Sequence, residues 1–394
     1  MSPAAHTGAV KPKAPAAPPA QTTRAAQTQT ATPSTPAATG TGAASSTTGT
    51  ATSTAPSAAP AASVASTGAR SKGILMSGAE LMALPTSGPG WDAIMARIKS
   101  PYGGSYTLGT RDESNKDVLA NALAGARLNN AAYKGFARDK IAHMMAAPRN
   151  TGDVLGTLRH LQTYIISADI IDLASFDPAL NGKFRTWLAN EIRVNYSGGG
   201  GGGSVISTHD KKPNNFGTHA GATRIAAALY LGDAAELKAA RDVWYGWATG
   251  DPAYTPQTRT WTGTSWQCDS SHPRGINATG CSRSGVSLDG VIPEDQERCG
   301  EFSQTPCATN YIQGATDGMT LSFWMLARQG ENPWAWGDRA ALRQMKWKYA
   351  SGQAPYSGFR WQIPVIEKAY GIDLAGNAPT ATSTNLGFAD WWAK

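Results

Sequence analysis

The chain has 394 residues, a formal net charge of +7 and four cysteines. Lys11, Lys13, Arg24, Arg70 and Lys72 contribute +5 of that charge ahead of the first acid, Glu80, so the remainder is close to neutral. Nucleic-acid recognition needs basic residues gathered on a folded face, and no apolar run is long enough to span a bilayer, so neither partner is expected.

Residues 1–72 contain no aromatic, no Leu, no Ile and no acid. Such a composition cannot bury enough surface to offset the entropy of ordering, and it predicts a disordered tail or linker. From residue 73 to 394 the pattern is that of one folded domain. Trp91, Ile94, Met95 and Ile98 form an apolar stripe at helical spacing that stops before Pro101. Val118, Leu119, Ala122, Leu123 and Ala126 form a second, and Tyr133, Phe136, Ala137, Ile141, Met144 and Met145 a third, ended by Pro148. A fourth helix is predicted over Asp153 to Leu173. Its segment Tyr164 to Ile171 is apolar almost all round, as in a helix buried on every side. Asp177 followed by Pro178 predicts an N-cap with Pro in the first turn.

The hexaglycine run Gly198 to Gly203 precedes KKPNNFGTHAGAT, residues Lys211 to Thr223. Pro213, Asn214 and Asn215 can open a helix there, which puts Asn215 and His219 one turn apart on one face. An amide and an imidazole at the positive end of a helix suit a carboxylate ligand. The plainer account is a capping Asn and a core His. Gly232-Asp233 then ends this helix and caps the next, with Glu236 completing a capping box, so the two helices run antiparallel. Thr249 to Ala308 lacks periodicity and reads as a long loop region, a length that is usually functional. Helices resume over Asn310 to Arg328, Asp338 to Tyr349 and Trp361 to Tyr370. No strands alternate with these helices. Helix pairs on short turns, some buried all round, predict an all-α fold, an (α/α) toroid with an inner and an outer ring.

Cys268, Cys281, Cys299 and Cys307 fall within the loop region without a CxxC pair, which suits two disulfides better than zinc. Of the three connectivities, pairing of neighbours, Cys268–Cys281 and Cys299–Cys307, is the expectation. Disulfides imply export, although no apolar signal segment is evident at the N-terminus; four reduced cysteines in a cytosolic protein are the alternative. His209, His219, Asp269 and His272 show no metal-ligand spacing, so neither metal nor cofactor is expected.

The stretch Asp289 to Tyr311 supplies the carboxylates Asp289, Glu294, Asp295 and Glu297, with Arg298 and Tyr311. A Cys299–Cys307 bridge would fold the intervening loop back and bring Arg298 to the start of the Tyr311 helix. An adjacent Arg favours the phenolate of a Tyr. Arg298 paired in solvent with Glu294 or Glu297, and Tyr311 as a half-buried aromatic, are the plainer accounts.

PNNFGTH with a small-residue helix, then IPEDQERCG and NY, resembles the alginate-lyase-like polysaccharide lyases of α/α-toroid fold, over most of residues 80 to 394. The resemblance implies a catalytic domain that cleaves an acidic polysaccharide by β-elimination at a uronate; a monomer is expected. Carried over by position, Asn215 neutralises the carboxylate, Arg298 lines the cleft and Tyr311 moves protons. Many members place His directly after the Asn pair, where this chain has Phe216; His219 stands one turn later as the candidate for that role. Asn214, His160, Tyr164, Lys212 and Trp266 complete the expected substrate contacts, although core packing is the plainer account of His160 and Tyr164. Trp261 and Trp266 can stack on sugar rings or pack the core, and His209 and Asp210 can touch the anionic chain or lie in a solvated loop. Two other classes remain open. One is a glycoside hydrolase using two of Asp289, Glu294 and Asp295; the other is a glycan-binding protein tethered by its tail.

Overall fold

The computed structural model describes residues 72–149, 154–198, 202–374 and 385–393. The expected tail, save Lys72, lies outside the described residues, as do Asp153 and the middle of the glycine run. Helices dominate. They are α1 (Gly78–Ala83), α2 (Pro89–Lys99), α3 (Asn115–Arg127), α4 (Ala131–Ala146), α5 (Leu155–Ile170), α6 (Leu173–Phe176), α7 (Pro178–Glu191), α8 (Val205–Lys211), α9 (Asn215–Leu231) and α10 (Ala234–Thr249). After a long loop come the single turn α11 (Pro293–Gln296), then α12 (Asn310–Arg328), α13 (Trp336–Ala350), α14 (Gln362–Tyr370) and the turn α15 (Ala389–Trp392). Among the described residues the named strands are β1 (Ser282–Arg283) and β2 (Val286–Ser287), one short antiparallel hairpin inside that loop.

Local chemistry accounts for most of the boundaries. The Asp177 carboxylate accepts from the Leu180 N–H at 2.9 Å with Pro178 in the first turn, as the sequence predicts for α7. Helices α1 and α8 carry too few residues for a legible stripe. Each begins at a serine that exchanges side-chain to backbone bonds with the residue three further on, Ser77 with Glu80 and Ser204 with Ser207. In α13 the residues Gly337, Asp338 and Arg339 are left-handed, so regular helix starts at Ala340 rather than at the expected Asp338. Arg343 donates to the Asp338 and Gly337 carbonyls at 2.9 and 2.7 Å, which holds that turn in place.

The core is built around α9, in which every residue from Gly217 to Leu229 is buried. It packs on α5, α7, α8, α10 and α12, as a helix apolar on all sides must. Its approach to α12 is the closest permitted: a Cβ on Gly318 would fall 2.3 Å from the Thr218 carbonyl carbon, so only glycine fits. The α9–α10 turn is Gly232 in the left-handed region followed by Asp233, whose side chain accepts from the Glu236 N–H at 2.9 Å. The expected capping box is only half formed. The Glu236 carboxylate is taken by buried Arg224, which also binds Asp210 at 2.8 Å and so ties α8 and α10 to α9.

The cysteines pair as neighbours, Cys268 with Cys281 and Cys299 with Cys307, at Cα separations of 5.7 and 6.2 Å. Both bridges lie in the loop region, where buried carboxylates replace helical periodicity as the organising force. Glu294 accepts from the N–H groups of Thr262 and Gly263 at 2.6 and 2.7 Å and from the Thr262 hydroxyl at 2.7 Å. Glu297 accepts from Ser265. These bonds lay residues 262–265 along α11. Among the described residues, no helix is long and apolar enough to cross a membrane.

Candidate active site

The site starts where α8 ends and α9 begins. The Lys212 N–H closes α8 onto the Thr208 carbonyl, and the Pro213 carbonyl accepts from the Trp247 indole at 2.7 Å. Asn214 caps α9 by accepting from the Phe216 N–H at 3.1 Å. The Asn215 N–H, an orphan donor of the first turn, is met by Asp295 Oδ1 at 3.1 Å. Asn214 therefore serves as a cap, and the carboxylate of α11 lies against the positive end of α9.

Asn215 and His219 point from α9 towards α12, with exposures of 2 % and 1 %. The ideal Cβ position of Gly314, in the second turn of α12, lies 3.3 Å from His219 Nε2 and 3.7 Å from Asn215 Nδ2. The amide and the imidazole thus converge on one glycine, and His219 Nε2 and Asn215 Oδ1 have no hydrogen-bonding partner among the described residues. Across the ring, the Asn385 amide nitrogen sits 2.8 Å from His219 Nδ1. Burial, reinforced by Arg159 and His160, holds the His219 pKa well below the usual imidazole value, so the ring is neutral.

Tyr311 is in the first turn of α12, three residues before Gly314, and is 38 % exposed. Its helix is capped by Thr309, which accepts from the Tyr311 N–H at 3.1 Å. Arg298 is exposed and lies over the Tyr311 ring, 3.8 Å from its centroid, a cation–π stack. Glu294 and Glu297, the solvent partners considered for Arg298, are committed to residues 262–265 instead. Asp295 is wholly buried; burial raises its pKa well above the usual carboxylate value, against the pull of the Asn215 N–H and of Arg298. Asn215 and His219 are thus buried beside Gly314, while Arg298 and Tyr311 are exposed, with Tyr311 three residues before that glycine on α12.

The other expected contacts fall differently. His160 and Tyr164, both on α5, are buried, as Asn215 and His219 are. Burial pushes the His160 pKa to about 3 and that of the Tyr164 hydroxyl upward. Trp266 is not a sugar platform: it is buried, donates to the Gly300 carbonyl at 2.9 Å and meets Phe302 edge-on. Trp261 in the same loop is half-buried, with Arg259 5.8 Å from its ring centroid, and is the aromatic left near the surface. Lys212 is half-buried beside Arg259 and Thr218. His209 is buried against Trp244, and Asp210 is paired with Arg224.

The carboxylates considered for acid and base work in a hydrolase are engaged in structure. Asp289 pairs with Arg343, Glu294 binds residues 262 and 263, and Asp295 caps α9. Among the described residues, no group of three or more His, Cys, Asp or Glu could hold a metal. Cavities of about 400 and 240 Å³ lie by the opposite ends of α9 and α12, lined by residues such as Leu326 and Tyr230, and contain no expected site residue. Sequence reasoning missed Gly314 and Asn385. A glycine pair four apart in an apolar helix was the signal for the first; Asn385, 166 residues from His219, offered none. No family model, no curated protein and no solved structure matches the chain.

Proposed function

We propose that the protein is a secreted, monomeric polysaccharide lyase that cleaves a uronate-containing glycan by β-elimination, on helix pairs arranged as an α/α toroid. The observation that carries the reading is the meeting of the Asn215 and His219 side chains at Gly314, one turn from Tyr311 under Arg298. A uronate C5–H is hardly acidic while its carboxylate is charged. Donors held at that carboxylate act most where enolate-like charge develops. Asn215 and His219 supply them, and Arg298 adds a positive charge. Tyr311 is the proton-moving group: the C5–H proton leaves, the C4–O4 bond breaks, the C4–C5 double bond forms and O4 departs protonated. The two disulfides and the lack of a membrane-crossing helix among the described residues fit an exported protein.

The test is incubation with alginate and a panel of other polyuronates while following the near-ultraviolet absorbance of the new double bond. Rising absorbance supports the lyase. New reducing ends without absorbance would indicate a hydrolase, and binding without either product would leave a glycan-binding protein.

A further inference from the structure

His219 is held on one side by a segment far away in the chain. Asn385 lies just before the final turn α15, and its amide nitrogen is 2.8 Å from His219 Nδ1. An amide nitrogen only donates, so Nδ1 must accept and the ring proton must reside on Nε2. Asn385 is itself fixed. Its backbone carbonyl accepts from the Thr163 hydroxyl of α5, and that hydroxyl oxygen accepts from the Asn115 amide of α3 at 3.1 Å. All four side chains are buried. A relay through three helices and the C-terminal segment thus ends on one nitrogen of one imidazole. The other nitrogen, without a partner among the described residues, faces Gly314 and the Asn215 amide.

We propose that Asn385 is a positioning residue that locks His219 in the tautomer bearing its proton on Nε2, so that His219 meets its ligand as a hydrogen-bond donor. The ligand class follows from that polarity: an acceptor, such as a carboxylate oxygen, and not a group that must give up a proton. This last step rests on the lyase reading, whereas the tautomer does not.

The experiment is long-range proton–nitrogen correlation NMR on the full chain with 15N-labelled histidine. The chain has six histidines, and His219 is identified as the signal lost in His219→Gln. The expected result is a protonated Nε2 and a bare Nδ1 in the wild type. In Asn385→Asp the carboxylate accepts from Nδ1–H, so the pattern inverts or both nitrogens carry protons; in Asn385→Ala the two tautomers exchange. A wild-type spectrum with the proton on Nδ1 overturns the proposal whether or not any variant folds. A wild-type pattern that persists unchanged in Asn385→Ala or Asn385→Asp overturns the role of Asn385. On a polyuronate that the wild type cleaves, Asn385→Asp lowers kcat/KM about tenfold or more. Loss of turnover without a change in the His219 spectrum would also count against it. If no polyuronate is cleaved, the spectra still decide the tautomer.

Discussion

The Arg298 guanidinium carbon lies 3.8 Å from the centroid of the Tyr311 ring, although thirteen positions of sequence separate the two residues. The contact uses the ring face rather than the hydroxyl. Removing the hydroxyl alone therefore separates chemistry from architecture. Tyr311→Phe is expected to lower kcat by at least about a thousandfold, near the upper part of the range for a lost acid–base group, while the dissociation constant for an oligouronate stays within about threefold. Absorbance assays and calorimetry measure the two. An active Tyr311→Phe enzyme would move the proton-handling role elsewhere.

The Cys299–Cys307 bridge closes the loop that carries Arg298 back to the start of α12. Closing so short a loop contributes about 2–3 kcal/mol to stability, and its second effect is to keep the guanidinium over the ring. Cys299→Ser with Cys307→Ser is expected to cut turnover about tenfold, on the general sensitivity of rate to small misplacements. The Cys268–Cys281 pair, remote in sequence from Arg298, should lose stability when replaced and keep most of its turnover. Melting curves set beside initial rates distinguish the two double variants. Equal rate losses in both would show that the first bridge does no more than hold the fold.

How much of this could be read from the residues depends on the range of the interactions. The ends of α12, Asn310 and Arg328, fall where the apolar spacing puts them, and the Asp177–Pro178 start of α7 is a local bond. The placing of Asn215 and His219 on one face of α9 follows from helix geometry alone. Trp266 was misjudged because a tryptophan in a loop reads the same whether it packs against Phe302 or faces a sugar. Glu236 was misjudged because its competitor for the helix terminus, Arg224, sits twelve residues back on another helix. Asn385 and the capping of Asn215 by Asp295 were invisible, since each joins segments that only the folded chain brings together.

Gly314 and Gly318 share a face of α12 but should respond differently to alanine. At Gly318 the new methyl would lie 2.3 Å from backbone, where nothing can yield without α9 and α12 separating. Gly318→Ala is expected to cost at least about 3 kcal/mol, the upper part of the overpacking range. At Gly314 the methyl would lie 3.3 Å from His219 Nε2, a contact that a few tenths of an ångström relieve. Gly314→Ala should therefore fold with a stability change under about 1.5 kcal/mol. Its methyl would occupy the space facing the two donors, so kcat/KM should fall while the His219 nitrogen spectrum still shows the proton on Nε2. Urea unfolding and initial rates check both variants, and a fully active Gly314→Ala would show that no ligand approaches that point.

Lys348 on α13 is wholly buried, 3.3 Å from the Thr316 hydroxyl, and burial lowers its pKa to about 7 despite the opposing charge of Asp317. In the unfolded chain the same ammonium keeps its proton up to about pH 10.5. Between those values the unfolded state binds more protons, so stability rises with pH from about 7 towards 10.5, and below that window the full cost of burying the group is felt. Asp317 does not depend on the lysine for hydrogen bonds, since it accepts from the Trp361 indole at 2.7 Å and from the Gln362 amide. Thr316 likewise donates to the Ile312 carbonyl at 2.8 Å. Lys348→Met, similar in volume, removes the buried ammonium and with it the pH-dependent cost of burying that charge. It should therefore flatten the rise between pH 7 and 9. Urea denaturation of both proteins across that interval measures the slope, and a variant with the wild-type slope would mean that Lys348 keeps its proton in the folded state.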